Sequence, residues 1–464
     1  MNPYNGSHHS TYHESLPLRR VAQTWWPLAA SWLLMGAELP AISAIVARLA
    51  EPKIHLAAYG GVVFPLALLV ESPIIMLLAA STALSKDWDS YLKLRRFMMR
   101  AGALLTTLHV LVAFTPLYYV VVAEVIGAPP EILEPARVGL MIMTPWTWAI
   151  AYRRFNQGVL IRFGHSRAVG LGTILRLGAD GVVLTVGYLQ GTIPGIVVAT
   201  STVIAGVIIE AIYSGLCVRP VLRNQLKRAA PIESPLTFTD LMAFYIPLAM
   251  TSLLNLLVQP IGSAALSRMP QALESLAVWP IVSGLIFMHR SLGIAYNEVV
   301  VALLDEPKST HSLHRFATWL SILTTLLLLA IASTPLSIMW FKHLSALTPQ
   351  LATMAHLSLW IALPIPGLNA LQSWYQGAIM HKRRTRAITE AVAIFLLASS
   401  AILAAGVGWG QVTGLFIGMA GFGIGSLAQT AWLWYRSRPV LRDLRARDAQ
   451  AMPLQAISSP ITSK

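Results

Sequence analysis

The chain has 464 residues, of which 55% are hydrophobic and only 12% charged, with a formal net charge of +14. Its apolar residues come in runs of twenty or more, which a water-soluble core of this length cannot use, so a soluble globular protein is excluded and an all-α polytopic membrane protein is predicted. The positive charge alone admits nucleic acid as a partner, but its placement along the chain argues against one.

A helix needs about 20 apolar residues to cross a bilayer core, and twelve such stretches can be placed in chain order. The first six are 25–46, 58–85, 98–125, 138–153, 168–188 and 194–216. A polar break over 219–240 separates them from 241–263, 276–303, 316–341, 354–377, 387–407 and 412–435. The predicted organisation is therefore a cytoplasmic tail (1–24), a six-helix lobe (25–217), a cytoplasmic linker (218–240), a second six-helix lobe (241–435) and a basic tail (436–464).

Of the 34 Lys and Arg, five (Arg48, Lys53, Arg137, Arg268, Lys342) fall on the loops of one side and two (Arg176, Arg290) inside spans, leaving 27 on the other side. That asymmetry is the positive-inside rule. It places both termini in the cytoplasm of a multi-pass plasma or inner membrane protein, with clusters such as KLRRFMMR and RSRPVLRDLRAR facing anionic lipid. No N-terminal stretch has the form of a cleavable signal, and the first apolar run is expected to act as a start-transfer helix. The lone Cys217 excludes an intrachain disulfide, and His8, His9 and His13 sit in a polar tail at a spacing that matches no metal-ligand set.

The pentapeptide RPVLR occurs at Arg219 to Arg223 and again at Arg438 to Arg442, after the sixth and the twelfth stretch. The offset recurs: Pro27, Leu28 and Ala29 match Pro247, Leu248 and Ala249, Pro40 matches Pro260, and Arg48 matches Arg268, all 220 apart. Past a one-residue slip, Pro145 matches Pro364, Gln157 and Gly158 match Gln376 and Gly377, and Gly206 matches Gly425, all 219 apart. The chain is thus a duplicated six-helix unit. An even number of crossings sends both copies into the membrane in the same sense, so two parallel repeats around a central cavity are predicted. Mid-span prolines such as Pro40, Pro73, Pro260 and Pro366 bend helices and shape that cavity. The glycines of GLFIGMAGFGIG follow no strand and read as close helix packing; a P-loop, HExxH or GxSxG motif is absent, so neither an ATP-driven pump nor a conventional hydrolase is supported.

The segments FNQGVLIRFGHSRAV and WYQGAIMHKRRTRAI, after the fourth and tenth stretches, together with the paired PLA openings, resemble the multidrug/oligosaccharidyl-lipid/polysaccharide flippase superfamily, which includes the multidrug and toxic compound extrusion transporters. Within it, ELPAISAIVARLAEPKIHLAAYG is most similar to the progressive ankylosis protein branch. KDWDSYLKLRRF departs from the loop that the major facilitator class would require. The resemblance implies a monomeric secondary transporter with no cofactor beyond a coupling H+ or Na+. It assigns the coupling role of a first-span acid to Glu38, and from the ankylosis branch it implies a small organic anion as substrate.

Charges inside spans are costly, at roughly 2.5 to 3.5 kcal/mol each on insertion scales, and mark function or a buried partner. The first lobe holds Glu38, Glu71, Arg176, Asp180 and Glu210, where the second has Val258, Ser291, Phe395, Ser399 and Gln429. Conversely, His289 and Arg290 stand where the first lobe has Leu69 and Val70. Ion coupling is expected at Glu38, Glu71 and Asp180, and substrate binding at Arg290, His289, Arg176 and Trp146. Arg176 and Asp180, four apart, can pair on one helix face, either as structural neutralisation or as a gate. Glu210 and Glu298 lie near the interface, where snorkelling accounts for them equally well. His109 reads as packing. The expected activity is export of a small amphipathic or anionic metabolite by alternating access, coupled to H+ or Na+. A cationic multidrug/H+ antiporter, whose substrate would meet Glu38, Glu71, Trp146 and Trp148, and a flippase for a lipid-linked saccharide remain as alternatives. An embedded enzyme has no nucleophile or metal constellation to support it; His289 and Glu298, the one hint, are nine apart and project from opposite sides of a helix.

Overall fold

The computed structural model describes residues 16–232, 235–306, 308–382 and 386–450, all helix and short connections. The His8, His9 and His13 tail lies outside these residues. In chain order the first lobe comprises α1 (Leu18–Val46), α2 (Pro52–Leu84), α3 (Trp88–Phe114), α4 (Pro130–Ile142 and Thr144–Arg162, joined at Met143), α5 (Ser166–Gln190) and α6 (Gly195–Asn224). The second comprises α7 (Phe238–Leu266), α8 (Ala272–Leu303), α9 (Ser309–Ser333), α10 (Pro349–His381), α11 (Arg386–Trp409) and α12 (Gly414–Gln450). Eleven of these are long and apolar enough to cross a membrane; α4 is the exception, interrupted by Arg137, Arg153, Arg154 and Arg162.

Two predicted spans are shorter than the sequence suggested. The stretches 98–125 and 316–341 do not run through as single helices, because Thr115-Pro116 and Thr334-Pro335 break them. Each threonine hydroxyl donates to the carbonyl four residues back, Leu111 or Ala330, and accepts from the amide two residues on, so the side chain replaces helical hydrogen bonds that proline cannot make. A short apolar helix follows in each lobe, ending in the π-helical turns Val120–Ile126 and Met339–Leu344. The two breaks are 219 residues apart and belong to the repeat.

Both described chain ends share one face of the bundle. Arg20 at the start of α1 pairs with Glu306 in the α8–α9 turn at 2.6 Å, and Asp448 near the end of α12 accepts from the Thr310 amide at 3.0 Å. The Arg20–Glu306 pair joins the two lobes on this face. Between them α1 packs along α8, and α7 along α2, so each lobe lends its first helix to the other.

On the opposite face the lobes meet. Lys53 at the start of α2 forms an ion pair with Glu274 at the start of α8. Nearby, the helix widens into a π-helical turn at Ala58–Val63, and Gly60 comes so close to α8 that a Cβ there would lie 2.4 Å from Pro280 Cγ. Gly60 and Pro280 are repeat equivalents, 220 apart. A residue that touches its own equivalent lies on the pseudo-twofold axis, so the axis passes through this contact and runs along the bundle, as parallel repeats require.

Candidate functional site

A cavity of about 490 Å³ lies between the lobes, walled by α1, α2, α4 and α5 on one side and by α7, α8 and α10 to α12 on the other. Its two walls differ in chemistry. The first lobe presents Glu38, Glu71, Arg153, Arg154 and Arg176, with Tyr59 and Trp146. The second presents Asn255, Gln259 and Ser283, the single cation Arg290, and an apolar surface of which Trp279, Phe395 and Phe422 are the aromatic part. Phe422 stands edge-on to both other rings, with centroids 5.2 and 5.7 Å away.

The bend that exposes Glu38 comes from α1 itself: Pro40 cannot donate a backbone hydrogen bond, and the helix is broken at Ala37, immediately before the acid. Glu38 is not a free carboxylate. Arg176 Nη2 donates to both of its oxygens, at 2.7 and 2.6 Å. The expected Arg176–Asp180 pair is the weaker contact, 4.0 Å from Nε to Oδ2 with no hydrogen bond. Helix α6 approaches here because residue 206 is glycine; a Cβ would lie 2.1 Å from Asp180 Oδ1. Gly425, its repeat equivalent, makes the same allowance for Ser399 Oγ, also at 2.1 Å.

Glu210 does not snorkel. It is buried, accepts from Gln157 Nε2 at 2.8 Å and forms an ion pair with Arg153, with Arg176 Nη1 4.0 Å away. Glu298 is exposed, on the terminal side of the cavity, and accepts from Trp32 Nε1 at 3.3 Å. Glu71 is buried on α2, and its Oε2 has no hydrogen-bond partner. Arg290 lines the cavity, again with an unpartnered Nε, whereas His289 is not part of the wall: its Nδ1 is taken by the Leu285 carbonyl at 2.8 Å. Trp146 is buried in the wall, but Trp148 lies against α3 beside Gly102. His109 is buried and satisfied on both ring nitrogens, by Thr147 Oγ1 at 3.1 Å and the Leu140 carbonyl at 3.0 Å.

The sequence reading placed Arg153 and Arg154 at the cytoplasmic edge of a short fourth span. They sit instead in mid-helix, one buried against Glu210 and the other in the cavity wall with no hydrogen bond or ion pair among the described residues. Two of the 27 cations assigned to the cytoplasmic side therefore lie inside the helix bundle. The repeat held the signal, because subtracting 219 from the tenth stretch, 354–377, gives 135–158, which encloses both arginines. Their equivalents in the second lobe are neutral: Gln372 donates to the Ser426 carbonyl and to Thr430 Oγ1, both at 3.0 Å, in place of the Arg153–Glu210 pair.

At the level of sequence, no protein family and no curated protein matches the chain. Solved structures do. An inward-facing multidrug resistance MATE family transporter of the MOP superfamily superposes with a TM-score of 0.67 at 14% identity, over 92% of this chain and 99% of its own. The lipid II flippase MurJ, in an inward closed conformation, gives a TM-score of 0.70 at 13% identity, over 91% of each chain. A MOP superfamily transporter from Pyrococcus furiosus, described as having a binding pocket of reverse polarity, gives 0.61 at 14% identity, over 93% of this chain and 99% of its own. The chain has the fold of the MOP superfamily of membrane transporters and flippases: twelve helices in two repeats. None of these likenesses singles out the ankylosis branch.

Proposed function

We propose that this protein is an alternating-access carrier for a small amphipathic anion. The observation that carries this reading is the presence in one cavity of two guanidinium groups from opposite lobes, Arg154 and Arg290, neither with a hydrogen bond or ion pair among the described residues. A buried cation without a partner is costly, and it persists where a ligand supplies the counter-charge. The aromatic and aliphatic wall of the second lobe suits the hydrocarbon part of the same molecule. A lipophilic cation finds less: Glu38 is committed to Arg176, and Glu71 shares its wall with Arg153, Arg154 and Arg176. A flippase for a lipid-linked anionic saccharide uses the same two features with a longer tail, and the likeness to a lipid II flippase favours it as a second reading. The clustering of basic residues on the terminal face supports termini in the cytoplasm, and hence a cavity offered to the cytoplasm while the opposite face is closed; export is the direction we propose.

Flux into liposomes, measured against a panel of organic anions and cations, tests the reading. An anion should be preferred, and Arg290→Met, which keeps length and removes charge, should weaken its binding at least tenfold, since a charged hydrogen bond contributes about 1.5–3 kcal/mol. Preference for cations, or anion transport unchanged in Arg290→Met, would overturn it.

A further inference from the structure

Around the cavity, the charges within the bundle balance. Arg153, Arg154, Arg176 and Arg290 stand against Glu38, Glu71, Asp180 and Glu210, four of each sign. Two pairs are internally settled, Arg153 with Glu210 and Arg176 with Glu38, and Asp180 keeps Arg176 Nε at 4.0 Å. Four groups are left over: Arg154 and Arg290, which face the cavity, and the acids Glu71 and Asp180, of which Glu71 lines the cavity. The charged groups of the first lobe that share the cavity wall with Glu71 are Glu38 from α1, Arg153 and Arg154 from α4 and Arg176 from α5. Helix α7, packed along the same stretch of α2, presents only a neutral phenol, Tyr245, whose hydroxyl is spent on the Pro73 carbonyl, and α3 presents Phe97 against that ring. Of the three arginines, two already serve Glu210 and Glu38. Arg154 is thus the one cation of the three that is free to balance the charge of Glu71.

An anion that bridges Arg154 and Arg290 takes up that balance and leaves Glu71 as a buried carboxylate with no counter-charge, a state that low-dielectric surroundings penalise heavily. We propose that the cavity binds its anion together with one proton, held on Glu71, so that anion and proton cross in the same direction. The inference rests on the anionic reading above. Linkage makes the effect reciprocal: a bound anion favours the proton and a bound proton favours the anion. A cation carrier built on the same acids would do the opposite, because a cation and a proton compete for one carboxylate and exchange across the membrane. Neutral closure of the cavity, with substrate and proton or with neither, also gives the lobes two states that can rock without burying net charge.

The probe is octanesulfonate, an amphipathic anion with no titratable group, applied to the full-length protein. Calorimetry in buffers of different ionisation heat should show about one proton taken up per anion bound near neutral pH. In proteoliposomes an inward sulfonate gradient should acidify the lumen. Glu71→Gln should bind sulfonate without proton uptake and carry it without a pH change, whereas Glu71→Asp, which keeps the acid, should retain both and controls for folding. Sulfonate binding and flux with no proton movement, or a lumen that turns alkaline, would refute the co-transport while leaving the anionic reading in place. Proton uptake that survives in Glu71→Gln would refute the assignment to that residue. Failure of sulfonate to bind, with a lipophilic cation bound instead, would refute the anionic reading and this inference with it.

Discussion

Arg48 and Arg268, repeat equivalents 220 residues apart, each cap a helix that belongs to the other lobe. Arg48 donates to the His343 and Leu344 carbonyls, the latter at 2.7 Å, at the end of the short helix after α9. Arg268 donates to the Glu124, Val125 and Ile126 carbonyls at 3.1, 2.7 and 2.6 Å, at the end of the short helix after α3. The last carbonyls of a helix lack intrahelical donors and carry the negative end of its dipole, so a guanidinium there satisfies both. Two such contacts, related by the pseudo-twofold axis, clasp the lobes on the face opposite the termini.

This clasp must open if the cavity is to reach that face. Hydrogen bonds to a charged group contribute about 1.5–3 kcal/mol, enough to shift a two-state population at least tenfold. Arg48→Gln and Arg268→Gln should each raise the reactivity of a cysteine placed at Ser283, in the cavity wall, towards a hydrophilic maleimide added on the clasped face, and the double variant should raise it further. Unchanged protection in the double variant would show that the clasp does not hold the closed state.

The second prediction concerns Arg153 and Glu210. Removing either partner of a buried pair leaves a stranded charge, at a cost of about 3–5 kcal/mol, so Arg153→Gln and Glu210→Gln should each lower the melting temperature sharply. The double substitution recreates the glutamines that stand at positions 372 and 429 of the second lobe. It should recover most of the loss. Additive losses in the double variant would mean that the pair acts through its neighbours, Gln157 and Arg176, rather than through mutual neutralisation.

Glycine at 206 and 425 makes a paired test of the repeat. Gly206→Ala should force Asp180 and its partner Arg176 to move, and so impair both stability and transport, because the new methyl meets a carboxylate held in a charge cluster. Gly425→Ala displaces the Ser399 hydroxyl from the Gly421 carbonyl, a neutral hydrogen bond of about 1 kcal/mol, and crowds Phe395 Cδ2 and its carbonyl at 3.0 and 3.1 Å, with no charge to be moved. Comparison of melting temperature and flux for the two variants checks the expected order; equal effects on flux would place the two lobes on the same functional footing.

Glu38 and Glu71 should separate stability from coupling. Glu38→Gln removes a two-point acceptor from Arg176 and should cost on the order of 2 kcal/mol, yet leave proton movement with the anion intact. The reverse pattern, full stability with coupling lost, would return the coupling role to the first-span acid that family resemblance assigns.

Hydropathy, charge placement and the 219–220 offset determine the class of this protein: membrane-spanning helices in two parallel lobes follow from the lengths of the apolar runs and from an even number of crossings per repeat. The asymmetry of the lobes is legible too, since Glu38, Glu71, Asp180 and Glu210 face neutral equivalents. What a linear reading misassigns is whatever depends on a partner from another helix. Arg153 and Arg154 look like an interfacial pair because basic residues near the end of a short apolar run belong there by the usual energetics. Only the packing of α4 against α6 supplies the carboxylate that lets Arg153 stay in the bundle, and only the cavity between α4 and α8 brings Arg154 and Arg290 to one site with no hydrogen bond or ion pair among the described residues. Glu38 and Arg176, 138 residues apart, read as separate candidates for coupling and binding until α1 and α5 bring them within hydrogen-bond distance. Sequence fixes which charges must be resolved within the membrane; the tertiary structure decides which resolve each other and which are left for a ligand, because electrostatic pairing depends on distance in space and not along the chain.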